Sequence, residues 1–176
     1  MSAPELSRLV KTRPLPGEVI VIEAGAAERA ALAARFGISA VDSLRAEITL
    51  EARPTAIRAS GRLTAAITQP CAVSGEDFPI AINEPLDLRF IAASTRPAPA
   101  DDAEIEIEIE ADDCDEIEYT GEMFDLGEAV AQSLGLAIDP YAEGPGADAA
   151  RRAAGIVQEG EQLGPLADLL AAFKKE

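Results

Sequence analysis

The chain has 176 residues, the length of one domain with room for a terminal appendage, and at this size about 70% of the unfolded surface can be buried without disulfide or metal staples. Hydrophobic residues make up 48% but aromatics only 4%, with no Trp, so the core has to be aliphatic. The 15 Lys and Arg against 32 Asp and Glu leave −17, which repels phosphate backbones and anionic lipid headgroups, and the absence of His excludes Ser-His-Asp, Cys-His and His-based zinc chemistry.

Residues 18–23, Glu-Val-Ile-Val-Ile-Glu, read as a short β-branched strand, and Ala26 to Phe36 as a helix with Leu32 and Phe36 four apart and Gly37 as its stop. From Leu44 to Ala52 apolar and polar residues alternate with the period of a half-buried strand. After Pro54-Thr55 a second strand places Ile57, Ala59, Gly61, Leu63, Ala65 and Ile67 on one face, and the two make an antiparallel hairpin. Gln69 to Asp77 is a turn, after which Phe78, Ile80 and Ile82 and then Leu86, Leu88 and Phe90 resume the alternation. Pro85 confines that strand to an edge or a bulge.

Ser94 to Asp102, with Pro97 and Pro99, reads as a linker, and Glu104 to Glu110 alternates Glu with Ile105, Ile107 and Ile109 as an edge strand with a wholly acidic outer face. Asp125 and Glu128 are spaced as an N-cap and its reciprocal capping partner. The helix they open carries Leu126, Val130, Leu134 and Ile138 on one stripe and ends at Pro140. Residues 142–160 are rich in Gly and small polar residues and read as a flexible tail. Leu163, Leu166, Leu169, Leu170 and Phe173 beyond them give a short amphipathic helix suited to docking on the core or on a partner. The fold class is therefore α+β: a mostly antiparallel, twisted sheet of about five or six strands with two or three packed helices. One domain spans residues 1–141, including an acidic segment over 97–141, with a tail over 142–176.

Charge is unevenly spread. Residues 1–96 hold 11 basic and 11 acidic residues and residues 151–176 hold 4 of each, whereas residues 97–150 hold 17 acids and no Lys or Arg. The protein is a neutral body with one acidic section, which is either a solvated flexible block or an attractor that raises encounter rates with a basic partner.

No constellation for catalysis, metal or phosphate binding assembles. Asp113 and Asp115 fit the first positions of a calcium loop, but Ile117, Glu118 and Phe124 fail the later ones. Pairs such as Glu106 and Glu108 lack the water-poor pocket that separates carboxylate pKa values, and no Gly-rich loop leads into a Lys. Cys71 reads as a small buried residue of a strand turn, with Glu76 and Asp77 nearby opposing a thiolate. Cys114 lies between Asp113 and Asp115 and takes no role. Two such cysteines suit a reducing cytoplasm. Neither a leader peptide nor an apolar run long enough to cross a bilayer is present.

Four stretches, in order, carry a resemblance. Ile67-Thr68-Gln69-Pro70-Cys71-Ala72-Val73-Ser74 resembles a strand-to-cysteine turn, and Glu84-Pro85-Leu86-Asp87-Leu88-Arg89-Phe90 the strand after it. Phe124-Asp125-Leu126-Gly127-Glu128 with Leu134 to Tyr141 resembles a helix and its terminating Pro, and Gly164-Pro165-Leu166-Ala167 to Leu170 a C-terminal end. The set is similar to that of the YceD-like proteins of bacteria and plastids, which are linked to accumulation of large-subunit ribosomal RNA. Many members carry Cys-x-x-Cys at the turn and further cysteines near the C-terminus. Here Ser74 stands at the second position and no Cys follows Cys114, so a metal role does not carry over.

The resemblance implies a non-enzymatic factor in large ribosomal subunit biogenesis that promotes accumulation of 23S ribosomal RNA, without cofactor or membrane. The charge distribution makes a basic ribosomal protein, or a pre-ribosomal large-subunit particle, the expected partner, met through Glu104, Glu106, Glu108, Glu110, Asp112 and Asp113. The alternative is direct binding of ribosomal RNA precursor by Arg45, Arg53, Arg58, Arg62 and Arg89 on a face of the N-terminal sheet.

Overall fold

The structure, a computed structural model, describes residues 5–93 and 116–156. The expected linker, the acidic strand after it and the C-terminal amphipathic helix lie outside these residues. The described residues fall into two units, one of residues 5–69, 79–93 and 116–139 and one of residues 70–78 and 140–156.

In the first unit, strand β1 (Leu9–Lys11) pairs antiparallel with β7 (Met123–Asp125). The strands β2 (Ile20–Glu23), β3 (Ala40–Ala52), β4 (Ala56–Pro70), β5 (Asp77–Ala92) and β6 (Glu116–Tyr119) form a five-stranded sheet in that spatial order. Helix α1 (Ala26–Phe36) links β2 to β3, and α2 (Leu126–Ala137) follows β7 directly. Among the described residues no helix is long and apolar enough to cross a membrane.

The elements follow from local chemistry. Helix α1 opens on Gly25, whose N–H donates to the Glu28 carboxylate at 2.7 Å. It closes on Gly37, which takes the left-handed φ of 67° that a side chain would resist. The β3–β4 hairpin turns at residues 53–56, where the Arg53 N–H donates to the Ala56 carbonyl at 2.8 Å, and its register runs from Ala52↔Ile57 to Ala40↔Thr68 through one irregularity between Val41 and Ser43. Gly61 is obligatory in that register: a Cβ there would sit 1.9 Å from the Glu47 carbonyl oxygen.

Alternation sorts the strand residues into two faces. Leu44, Ala46, Ile48 and Leu50 of β3, Ile57, Ala59, Leu63, Ala65 and Ile67 of β4, and Ile82, Leu86 and Phe90 of β5 are buried, together with Leu32 of α1 and Leu126, Val130 and Leu134 of α2. Phe124 meets Phe90 at 4.3 Å between ring centroids, a buried ring pair within an otherwise largely aliphatic core. The opposite face of the sheet is polar.

The expected α+β class is what the structure has, with one difference in the sheet. Cross-strand contacts Arg58–Asp87 and Arg62–Asn83, one number rising as the other falls, set β5 antiparallel to β4, but β5 and β6 are parallel, with Arg89↔Glu116 and Ala92↔Tyr119 in register. Side-chain periodicity is the same in both senses, so the sequence does not reveal strand direction. A second difference concerns Pro85, expected at an edge or bulge yet lying inside a sixteen-residue strand that has neighbours on both sides. β6 reaches only residues 89–92 of β5, so its register with β5 does not extend to Pro85.

Helix α2 is capped as expected: the Asp125 carboxylate accepts from the Glu128 N–H at 3.1 Å. The reciprocal role expected of the Glu128 side chain gives way to an ion pair with Arg35 of α1 at 2.9 Å. Asp125 also accepts from the Ser7 hydroxyl at 2.6 Å and the Arg8 N–H at 2.8 Å, and Arg8 donates to both Glu28 oxygens, at 2.7 and 3.0 Å. The N-terminal segment is thereby tied to the starts of both helices. Gly127 lets it come that close, since a Cβ there would be 2.6 Å from the Arg8 nitrogen.

The second unit holds the turn between β4 and β5 and α3 (Ala147–Ala153), a helix inside the stretch the sequence reads as flexible. The turn closes by Cys71 N–H to Glu76 O and Gly75 N–H to Cys71 O, both 2.9 Å, with Gly75 at φ 72°. The Ala72 N–H donates to the Ala142 carbonyl at 3.0 Å.

Candidate functional site

Strand parity decides where the five candidate arginines go. Arg45 on β3, Arg58 and Arg62 on β4 and Arg89 on β5 all occupy positions out of phase with the buried residues, and Arg53 continues the β3 phase into the hairpin turn. The structure therefore brings them to one polar face of the sheet.

It also brings carboxylates there. Arg45 pairs with Glu23 and, at 2.6 Å, with Glu47; Arg53 pairs with Glu51 at 2.6 Å; and Arg89 pairs with Glu116 at 3.4 Å. Arg58 makes a bidentate pair with Asp87 at 2.6 and 2.7 Å, whose hydrogen bonds hold the Asp87 carboxyl below its ordinary pKa. Arg62 differs, donating at 2.7 Å to the uncharged Asn83 side chain. Five guanidinium groups thus face Glu23, Glu47, Glu51, Asp87 and Glu116. A phosphate arriving here has to compete with a carboxylate at four of the five arginines, for the modest gain that half-exposed pairs offer. The acidic candidates Glu104, Glu106, Glu108, Glu110, Asp112 and Asp113 lie outside the described residues.

The turn at Cys71 holds chemistry that sequence reasoning missed. Cys71 is 3% exposed, as expected of a small buried residue. Yet the Ser74 hydroxyl and the backbone N–H groups of Ser74, Gly144 and Val73 converge on its sulfur and lower its pKa to about 7, with Val73 and Ser74 nitrogens each 3.4 Å from Sγ. Local donors outweigh the acidic neighbours counted from the sequence, since Glu76 and Asp77 do not appear among the causes of the shift. The signal available was the Ser three residues after Cys71 and the Gly after that, a spacing that folds N–H groups back onto the side chain. One thiol with a serine at the second knuckle position does not supply the four N or S ligands of a structural zinc, so the donor set does not fit that metal.

The family model for the large ribosomal RNA subunit accumulation protein YceD matches residues 59–164. The chain belongs to the YceD family. Its YceD-matched part takes in Arg62, Arg89, Cys71 and the acidic section, whereas Arg45, Arg53 and Arg58 precede it. No curated protein and no solved structure matches the chain. Membership of the YceD family connects the chain with accumulation of the large ribosomal RNA subunit.

Proposed function

We propose that this YceD protein is a non-enzymatic factor of large ribosomal subunit biogenesis that promotes 23S ribosomal RNA accumulation by binding a basic ribosomal protein through Glu104, Glu106, Glu108, Glu110, Asp112 and Asp113. The supporting observation is one of charge: all of the −17 resides in residues 97–150, while four of the five arginines of the described sheet face are matched by carboxylates and the fifth, Arg62, is held by Asn83. Unmatched negative charge attracts a cationic protein over roughly a Debye length, about 8 Å at physiological ionic strength. The compensated face offers no comparable pull on RNA.

The test is capture of partners from lysate on the tagged protein at low and high salt, with and without RNase. Basic ribosomal proteins that are retained after RNase and lost as salt rises support the reading. Binding insensitive to salt, or unaffected when the six acids are replaced by Asn and Gln, overturns it. The second reading, RNA on the arginine face, is favoured only by the convergence of Arg45, Arg53, Arg58, Arg62 and Arg89. It predicts that RNA affinity falls on Arg58→Glu and Arg62→Glu replacement, and unchanged affinity rejects it.

A further inference from the structure

Where the β3–β4 hairpin turns, a cavity of about 460 Å³ opens between that turn, Ala92 at the end of β5, Tyr119 at the end of β6, the Gly121–Glu122 turn and Thr12–Arg13. The volume lies within the range of small-molecule sites. Ala52, Ala56, Ile57 and Ala92 give it apolar wall, and Tyr119 adds a half-buried ring braced by Phe124 at 5.9 Å between centroids.

Its polar groups are weighted toward donors. Arg13 has no carboxylate partner among the described residues, and Arg53 engages Glu51 through one terminal nitrogen, which leaves other N–H groups of its fork. The hydroxyls of Thr55 and Tyr119 carry no hydrogen bond among the described residues. Glu122 is the one carboxylate in the lining, against two guanidinium groups. Two arginines, two open hydroxyls and an aromatic face call for a ligand with several acceptor oxygens and a flat ring. Those are the chemical features of a nucleotide.

We propose that this cavity binds one nucleotide of single-stranded RNA, with the phosphate held by Arg13 and Arg53 and the base against Tyr119. The proposal goes beyond the acidic-segment reading and uses none of its residues, so each stands or falls by its own variants. Affinity is modest, because Glu51 and Glu122 offset part of the cationic charge and the whole protein repels a polyanion.

The absence of Trp makes Tyr119 the reporter. In a Tyr141→Phe background it is the sole tyrosine, and its emission is followed on titration with octaadenylate, AMP and inorganic phosphate. Expected is saturable quenching by octaadenylate, weaker quenching by AMP and none by phosphate. Arg13→Gln, Arg53→Gln and Thr55→Ala, changes in exposed residues whose far-UV circular dichroism checks the fold, each weaken octaadenylate, with the arginine variants losing about tenfold or more. No saturable change up to about 5 mM ligand overturns the proposal. Octaadenylate affinity unchanged in Arg13→Gln does so as well. Equal affinity for AMP and octaadenylate refutes the assignment to RNA, and an equal response to phosphate alone reduces the cavity to an anion site.

Discussion

Among the described residues of the first unit, arginine–carboxylate pairs occur in two places and do different work in each. On the helix side, Arg8 and Arg35 reach Glu28 and Glu128, whose side chains are about a quarter exposed, and these pairs share their neighbourhood with backbone donors, a helix cap and a glycine contact. On the polar sheet face, Arg45 and Arg58 meet carboxylates that are more than half exposed. The first set fixes the N-terminal segment to α1 and α2. The second cancels charge on a surface that remains wet. The same chemical pair is thus a structural joint where water is partly excluded and a tuning of surface potential where it is not.

The sharpest way to break the contrast is at Gly127, where a side chain has to displace backbone rather than another side chain. Gly127→Val should cost about 3 kcal/mol in urea denaturation, and a loss below about 1 kcal/mol would show that the N-terminal segment yields at little cost. Next comes Asp125→Ala, which removes the cap of α2 and the anchors of Ser7 and Arg8 together. A loss of about 2 kcal/mol is expected, with faster hydrogen exchange in residues 6–11.

Acid titration tests the helix-side pairs. Hydrogen bonds from Arg8 and the Gly25 N–H hold the Glu28 carboxyl below its ordinary pKa, and hydrogen bonds from Arg35 and Gln132 do the same for Glu128. The unfolded chain therefore binds more protons than the folded one in the acid range. The stability these groups contribute is present above about pH 4.3 and is lost as pH falls through their lowered folded values. Arg8→Met with Arg35→Met should flatten the acid limb of stability against pH, and an acid limb identical to wild type sinks the assignment. The smallest effect belongs to the polar face. Asp87→Asn should change stability by about 0.5 kcal/mol or less, measured by thermal unfolding, and a loss above about 1.5 kcal/mol would make that pair a structural joint after all.

The sequence carried the elements further than their connections. Period and punctuation place α1 between Ala26 and Gly37 and the hairpin across Pro54-Thr55, because each of those marks is local. The parallel sense of β6 is not local, nor are the partners of Arg45, Arg58 and Arg89, which depend on the register of strands distant in the chain. Gly61 reads as one more small residue on an apolar face until the register sets it against the Glu47 carbonyl. At Cys71 the neighbours along the chain suggested a protonated thiol, whereas the turn aims N–H groups at the sulfur. Charge by composition and charge by geometry answer different questions there.

The bond between Ser7 and Asp125 joins residues 118 positions apart, and Leu9 waits for Asp125 to complete its pairing. A ribosome adding about 5–20 residues per second leaves the first strand without its partner for roughly 6–24 s. For that interval Leu6, fully buried in the finished molecule, has no pocket to enter. Closure of the N-terminal segment therefore waits until residues 123–125 have been made, long after the segment itself.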